Sequence, residues 1–173
     1  MLITLDTETV RLANEVECGW NNIKNFGLSV LVIGWTWLKS PQRLEYEIYI
    51  PDLAVSKYFP CKSQDKIQQR LDRAEQIVTF NGEGFDFQVL ESAGFDLSTI
   101  GPKSFDILTR FYQATGHRIS LANLTSTMLP ETKQMKGEAA VYYWRAAKEL
   151  QRGWSGSLLD NTSDNMCRSE EHT

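Results

Sequence analysis

Hydrophobic residues enter this chain in three different rhythms. Leu2 to Leu5 is a short apolar run that leads directly into Asp6-Thr7-Glu8. The stretch LSVLVIGWTWL, from Leu28 to Leu38, is apolar almost throughout and rich in β-branched and aromatic residues, which predicts a buried central strand. Lys39 to Gln42 reads as a turn. Arg43 to Ile50 then alternates, with Leu44, Tyr46, Ile48 and Ile50 on one face and Arg43, Glu45, Glu47 and Tyr49 on a wetter one. The second and third runs therefore predict an antiparallel hairpin. From Ser63 to Glu75 the period becomes helical, with Ile67, Leu71 and Ala74 on one stripe.

Ile77 to Phe80 predicts a short buried strand, and Asn81-Gly82-Glu83-Gly84 turns the chain into a helix carrying Phe85, Val89 and Leu90 inward. Two further helices are expected at Phe105 to Thr115 and Leu121 to Met128, capped by Ser104 and Ser120, with Pro130 ending the second. Glu138 to Gln151 predicts a helix closed by Gly153. Ser157-Leu158-Leu159-Asp160 then resembles a capping box opening a last helix. Three strands, a helix, a strand and several helices imply one mixed α/β sheet with helices on both faces.

Composition narrows this picture only slightly. A chain of 173 residues suits one core, so 1–173 is expected to form a single domain; no repeat, linker or low-complexity tract divides it. Hydrophobic and charged fractions of 42% and 23% are ordinary for a globular protein. No apolar run approaches the roughly 20 residues that cross a bilayer, and MLITLDTETV is not a secretory signal, so a cytoplasmic protein without membrane association is expected. Cys18, Cys61 and Cys167 are far apart and predict free thiols. His117 and His172 have no partner at ligand spacing, which argues against structural zinc. A net charge of −4 disfavours coating of nucleic acid by a basic surface, but leaves room for a locally neutralised site.

Candidate chemistry lies in the carboxylates. On a strand, residues i and i+2 share a face, so Asp6 and Glu8 project together roughly 6 to 7 Å apart at the backbone. They repel unless a cation sits between them, and hard ions such as Mg²⁺ or Mn²⁺ suit oxygen ligands. A bare D-x-E is more often a solvated surface pair. The segment IVTFNGEGFDFQVLESAG changes that balance by placing Asp86 in the first turn of a helix that directly follows a strand. Aspartate is common there for electrostatic reasons, yet the position also faces the end of a neighbouring strand. Gly82-x-Gly84 lacks the third glycine and the ribose-binding acid of a dinucleotide fold, which excludes that reading. Asp106, in SFDILTR, reads as a cap or support.

Taken together, LDTE, TFNGEGFDFQVL and GHRISLANLTSTMLP resemble the DEDD superfamily of 3′–5′ exonucleases. The similarity is greatest to the bacterial branch related to the exonuclease domain of family B DNA polymerases, and it runs in order from Leu2 to about Met166. The resemblance implies a ribonuclease H-like fold and hydrolysis of phosphodiester bonds at a single-stranded DNA or RNA 3′ end. It also implies two divalent ions about 3.5–4 Å apart. Asp6 would bridge them, Glu8 and a third-motif acid would complete one site, and Asp86 would reach the other through water. Thr7, Asn81, Phe85 and His117 would line the substrate path. Phe85 and Phe87 cannot both face the core, so one is available to stack on a terminal base, although core packing suits Phe85 better. Arg118, Lys133 and Lys136 are candidate phosphate contacts, with solvated surface the commoner role. Trp20, in the loop from Asn14 to Phe26, faces either substrate or an interface.

The third motif departs from the family pattern. Where the family has Tyr-Cys-x-x-Asp-Val, this chain has LLDNTSDNM, which puts Asn161 at the tyrosine position and Asn165 at the aspartate position. Asp164 can serve as the third acid only after a one-residue register shift, about 100° around the helix, with Asp160 one turn before it. The expectation is a metal-dependent 3′–5′ exonuclease; the alternative is a catalytically impaired member of the fold that binds nucleic acid or a protein partner. Sequence does not distinguish DNA from RNA or specify an oligomeric state.

Overall fold

A computed structural model describes residues 1–52, 56, 57, 59–126 and 137–163. Its centre is a mixed five-stranded sheet in the order β3-β2-β1-β4-β5. The strands are β1 (Leu2–Thr9), β2 (Leu28–Trp37), β3 (Ser40–Tyr49), β4 (Gln76–Thr79) and β5 (Ser104–Asp106). β1 pairs antiparallel with β2 and parallel with β4, and β2 with β3 forms the expected hairpin. The helices are α1 (Gln64–Asp72), α2 (Asp86–Ser92), α3 (Ile107–Thr115), α4 (Leu121–Ser126) and α5 (Gly137–Ser163). Among the described residues no helix is long and apolar enough to cross a membrane.

β1 extends four residues beyond the apolar run, through the acidic pair, because alternation continues there. Ile3, Leu5, Thr7 and Thr9 are buried, while Thr4 and Asp6 are exposed on the opposite face. The buried face meets α1 and α2 in a core that includes Leu31, Ile33, Ile67, Leu71, Ile77, Val89 and Leu90. On the other face α5 packs Trp144 against Ile50, with Val10, Val30 and Ile48 around them. Helices therefore flank both sides of one sheet, an α/β arrangement of the ribonuclease H-like kind.

Three sequence expectations change. Ser104 to Asp106 is not the start of a helix but a fifth strand, paired parallel with β4. Its short run of three residues carries no legible period, and the cap of α3 is Asp106, whose carboxylate accepts the Thr109 amide at 3.1 Å. Second, β3 turns its charged face toward α1. Glu47 accepts a bidentate contact from Arg70 at 2.8 and 3.2 Å, and the Arg70 guanidinium lies 4.4 Å from the centre of the Trp35 ring. Leu44 and Tyr46 are left exposed, because α5 covers only the Ile48 and Ile50 end of the apolar face.

Third, α5 runs through Gly153 as one helix of 27 residues. A glycine inside a helix costs about 1 kcal/mol and does not by itself end one. The Ser157 start expected for a separate helix is absorbed into α5. Ser120 does open α4, accepting the Asn123 amide at 3.1 Å, whereas Met128 and Pro130 lie outside the described residues.

Candidate active site

Asp6 and Glu8 occupy the outer half of β1, beyond the stretch paired with β4. Across the strand they sit opposite Val32 and Val30, on the sheet face that α5 approaches. β4 ends at Thr79, and the following turn is bound tightly to it. Asn81 takes a positive φ of 65°. A Cβ added to Gly82 would lie 2.5 Å from that of buried Thr79, so the close approach of turn to strand needs a glycine.

Asp106 holds this turn from below. It is almost completely buried and accepts the amides of Asn81, Glu83 and Thr109, each at 3.1 Å, and the Thr79 hydroxyl at 3.3 Å. Burial alone would raise its pKa, but these donors outweigh it and hold the carboxyl below its ordinary range. The expectation of a cap or support is what the geometry shows, with more partners than a cap requires.

The braced turn launches α2, and α2 delivers Asp86. Its carboxylate Oδ1 accepts both the amide and the hydroxyl of Thr7, at 2.9 and 2.6 Å. Thr7 points inward between the outward-facing Asp6 and Glu8, so the second acidic motif is tied to the middle of the first. Burial pushes the Asp86 carboxyl up to about 6, the Thr7 hydroxyl opposes that, and the charge of Asp6 adds to it.

Asp6, Glu8 and Asp86 all line one open pocket of about 1000 Å³. Thr7, Asn81 and Phe85 line it too. His117 is not among its lining residues; it lies exposed after α3, and its amide donates to the Thr115 hydroxyl at 3.2 Å. Its neighbour Arg118 reaches instead toward the pocket, 3.5 Å from Oδ1 of Asn81. Phe87 is in the core, and Phe85 is half-buried against Phe26 and Trp20 at the pocket wall.

Asp164 and Asn165 lie outside the described residues, as do Lys133 and Lys136. Asp160 and Asn161 fall on α5, but only the backbone is described there. The part of α5 that lines the pocket is its beginning: Gly137, Glu138, Val141 and Tyr142. Asp160 sits about six turns further along the same helix, roughly 33 Å from Glu138 at 1.5 Å per residue. The sequence did not single out Glu138 as a pocket residue, because an acid in a first helical turn has an adequate local explanation in the helix dipole.

A protein-family model of the RNase H superfamily matches residues 28–156. The chain belongs to the RNase H superfamily. No curated protein matches it significantly. The RNase H superfamily match contains Asp86, Asp106 and Glu138, and begins after β1, so the pairing of Asp6 and Glu8 with Asp86 rests on the geometry above. RNase H-like proteins are nuclease-type hydrolases that bind nucleic acid and generally use divalent metals. Among the described residues no three carboxylate, imidazole or thiol groups close around a single point.

Proposed function

We propose that this chain is a divalent-metal-dependent 3′–5′ exonuclease acting on single-stranded nucleic-acid ends. The observation that carries the reading is the Thr7 bridge: it fixes Asp86 behind Asp6 and Glu8 in one open pocket. Direction and end preference come from the resemblance of LDTE and NGEGFDF, in that order, to the DEDD exonucleases.

The donor chemistry fits a hard cation. Among the described residues that line it, the pocket offers carboxylates and no thiol or imidazole. Burial, and after it the charge of Asp6, raise the pKa of Asp86, and a cation beside these carboxylates would favour the ionised form. Asp6 and Glu8 would hold the ion, with Asp86 behind them. An ion held there, Mg²⁺ or Mn²⁺, would supply an acidified water and neutralise charge on the phosphate.

The chain's own residues do the rest. Thr7 fixes the Asp86 carboxylate, Asp106 fixes the turn that carries Asn81, and Arg118 sets a cation beside Asn81 where a phosphate can be held. Glu138, which lines the pocket from the α5 side, would supply a further carboxylate.

A second reading, a catalytically impaired member that binds nucleic acid, is favoured by one fact of sequence: asparagines, Asn161 and Asn165, stand at the tyrosine and aspartate positions of the third motif. The two are separated by incubating the protein with 5′-labelled single-stranded DNA and RNA in Mn²⁺. A ladder shortening from the 3′ end, abolished in Asp6→Asn, supports the exonuclease. Binding without shortening supports the second reading, and internal cuts would overturn the 3′–5′ assignment.

A further inference from the structure

Trp20 is 68% exposed, yet its ring is anchored. Its centroid lies 5.5 Å from that of Phe26 and 6.1 Å from that of Phe85, and those two rings are 6.0 Å apart. Phe26 is buried in the core, so this aromatic triangle has one fixed corner inside the protein and one in the open. The backbone is bent to present it: Cys18 and Gly19 both adopt left-handed conformations, φ 63° and 52°. Leaving an indole exposed forgoes the free energy of burying it, and here the exposed ring borders the pocket that holds Asp6, Glu8 and Asp86.

The segment that carries Trp20 is tied down from the other side of the pocket. Arg145, on α5, bonds Glu15 at 2.8 Å and the Val10 carbonyl at 3.3 Å. Arg11 lines the same pocket. A flat apolar ring in one pocket with a cation and with carboxylates suited to a phosphate-bound metal matches a nucleotide unit: base on the ring, backbone across the acids.

We propose that Trp20 is the platform on which an unpaired terminal nucleobase stacks, so that the pocket selects base-bearing single-stranded ends whatever the base. The inference rests on the nuclease reading of the pocket. Every base has a π-face, and stacking on an aromatic side chain contributes enough for fivefold or greater discrimination against an end that lacks one.

The test is fluorescence anisotropy of the full chain, in Ca²⁺, with 5′-labelled oligothymidylate ending in thymidine or in an abasic tetrahydrofuran unit. The protein is expected to bind the thymidine end at least fivefold more tightly. Trp20→Ala is expected to bind both as weakly as the native protein binds the abasic one, and Trp20→Phe to keep much of the preference. An unchanged preference in Trp20→Ala, or a native protein blind to the missing base, overturns the platform while leaving the nuclease reading intact. No binding of either oligonucleotide by the native protein overturns both. Melting curves of both variants establish that the fold is retained, and Trp20→Phe carries the comparison if Trp20→Ala melts early.

Discussion

The hydroxyl of Thr7 donates to Oδ1 of Asp86 across 79 positions of sequence, at 2.6 Å, and the Thr7 amide donates to the same oxygen. A buried carboxylate is thereby held in place without a positive partner among these donors. Charge-assisted hydrogen bonds of this kind typically contribute about 1.5–3 kcal/mol each. Thr7→Val removes the hydroxyl and keeps the shape. It is expected to lower stability by about 2 kcal/mol in urea unfolding and to reduce 3′-end cleavage at least tenfold. Full activity in Thr7→Val would show that Asp86 needs no fixing.

Asp86 also gives the protein a pH signature. Its carboxyl titrates near 6 in the fold against an ordinary value of 3.8, so the native state binds the proton more tightly than the unfolded chain. The associated stability is complete below about pH 4 and is lost as pH rises through 6, a span worth about 3 kcal/mol. Asp86→Asn keeps an oxygen acceptor for Thr7 and removes the charge. In metal-free buffer at pH 7.5 it is expected to melt several degrees above the native protein and to flatten the profile between pH 4 and 6. A lower melting temperature would show the charge to be already compensated.

Asp106 has the opposite sign. Its folded pKa is depressed, so its contribution is present above the unfolded value and is lost as pH falls through the folded one. Asp106→Asn cannot accept from all four donors, because its amide nitrogen is itself a donor. The expected cost is about 2–4 kcal/mol by urea unfolding at pH 7, shrinking toward low pH, with cleavage lost through disorder of the Asn81 turn.

How much of this was legible beforehand follows the physics of each signal. β2 and the hairpin were readable because long apolar and alternating runs admit one interpretation. β5 was not, since three residues carry no period and Ser104-Phe105-Asp106 also fits a helix start. Asp6, Glu8 and Asp86 stood out as acids at strand and helix ends. Their link through Thr7 did not, because threonine in a strand is ordinary. Burial misled on β3: Leu44 and Tyr46 belong to its apolar face, yet Trp144 of α5 packs only at the Ile48 and Ile50 end, and no local pattern reports which part of a strand a helix about 90 residues later will cover.

Divalent metal should report the site independently of turnover. Asp6 and Glu8 project from one strand face with Asp86 behind them. A cation bound at a hundred times its dissociation constant stabilises the fold by about 2.7 kcal/mol. Millimolar Mn²⁺ at pH 7.5 is expected to raise the melting temperature by several degrees in the native protein and not in Asp6→Ala. An equal rise in both would move the metal away from β1.

The acid on the α5 side is the remaining decision. Glu138 stands in the first turn of α5, against the pocket, whereas Asp160, where the sequence motif for a third acid begins, falls about six turns later on the same helix. A carboxylate acts only where it can reach the phosphate or its metal, so position along the helix outweighs likeness to a motif. Glu138→Gln is expected to lower kcat for 3′-end removal at least tenfold while leaving the melting temperature unchanged, since this side chain is exposed. Asp160→Asn is expected to stay within twofold of the native rate. The reverse pair of results would return the third acid to the sequence motif that begins at Asp160.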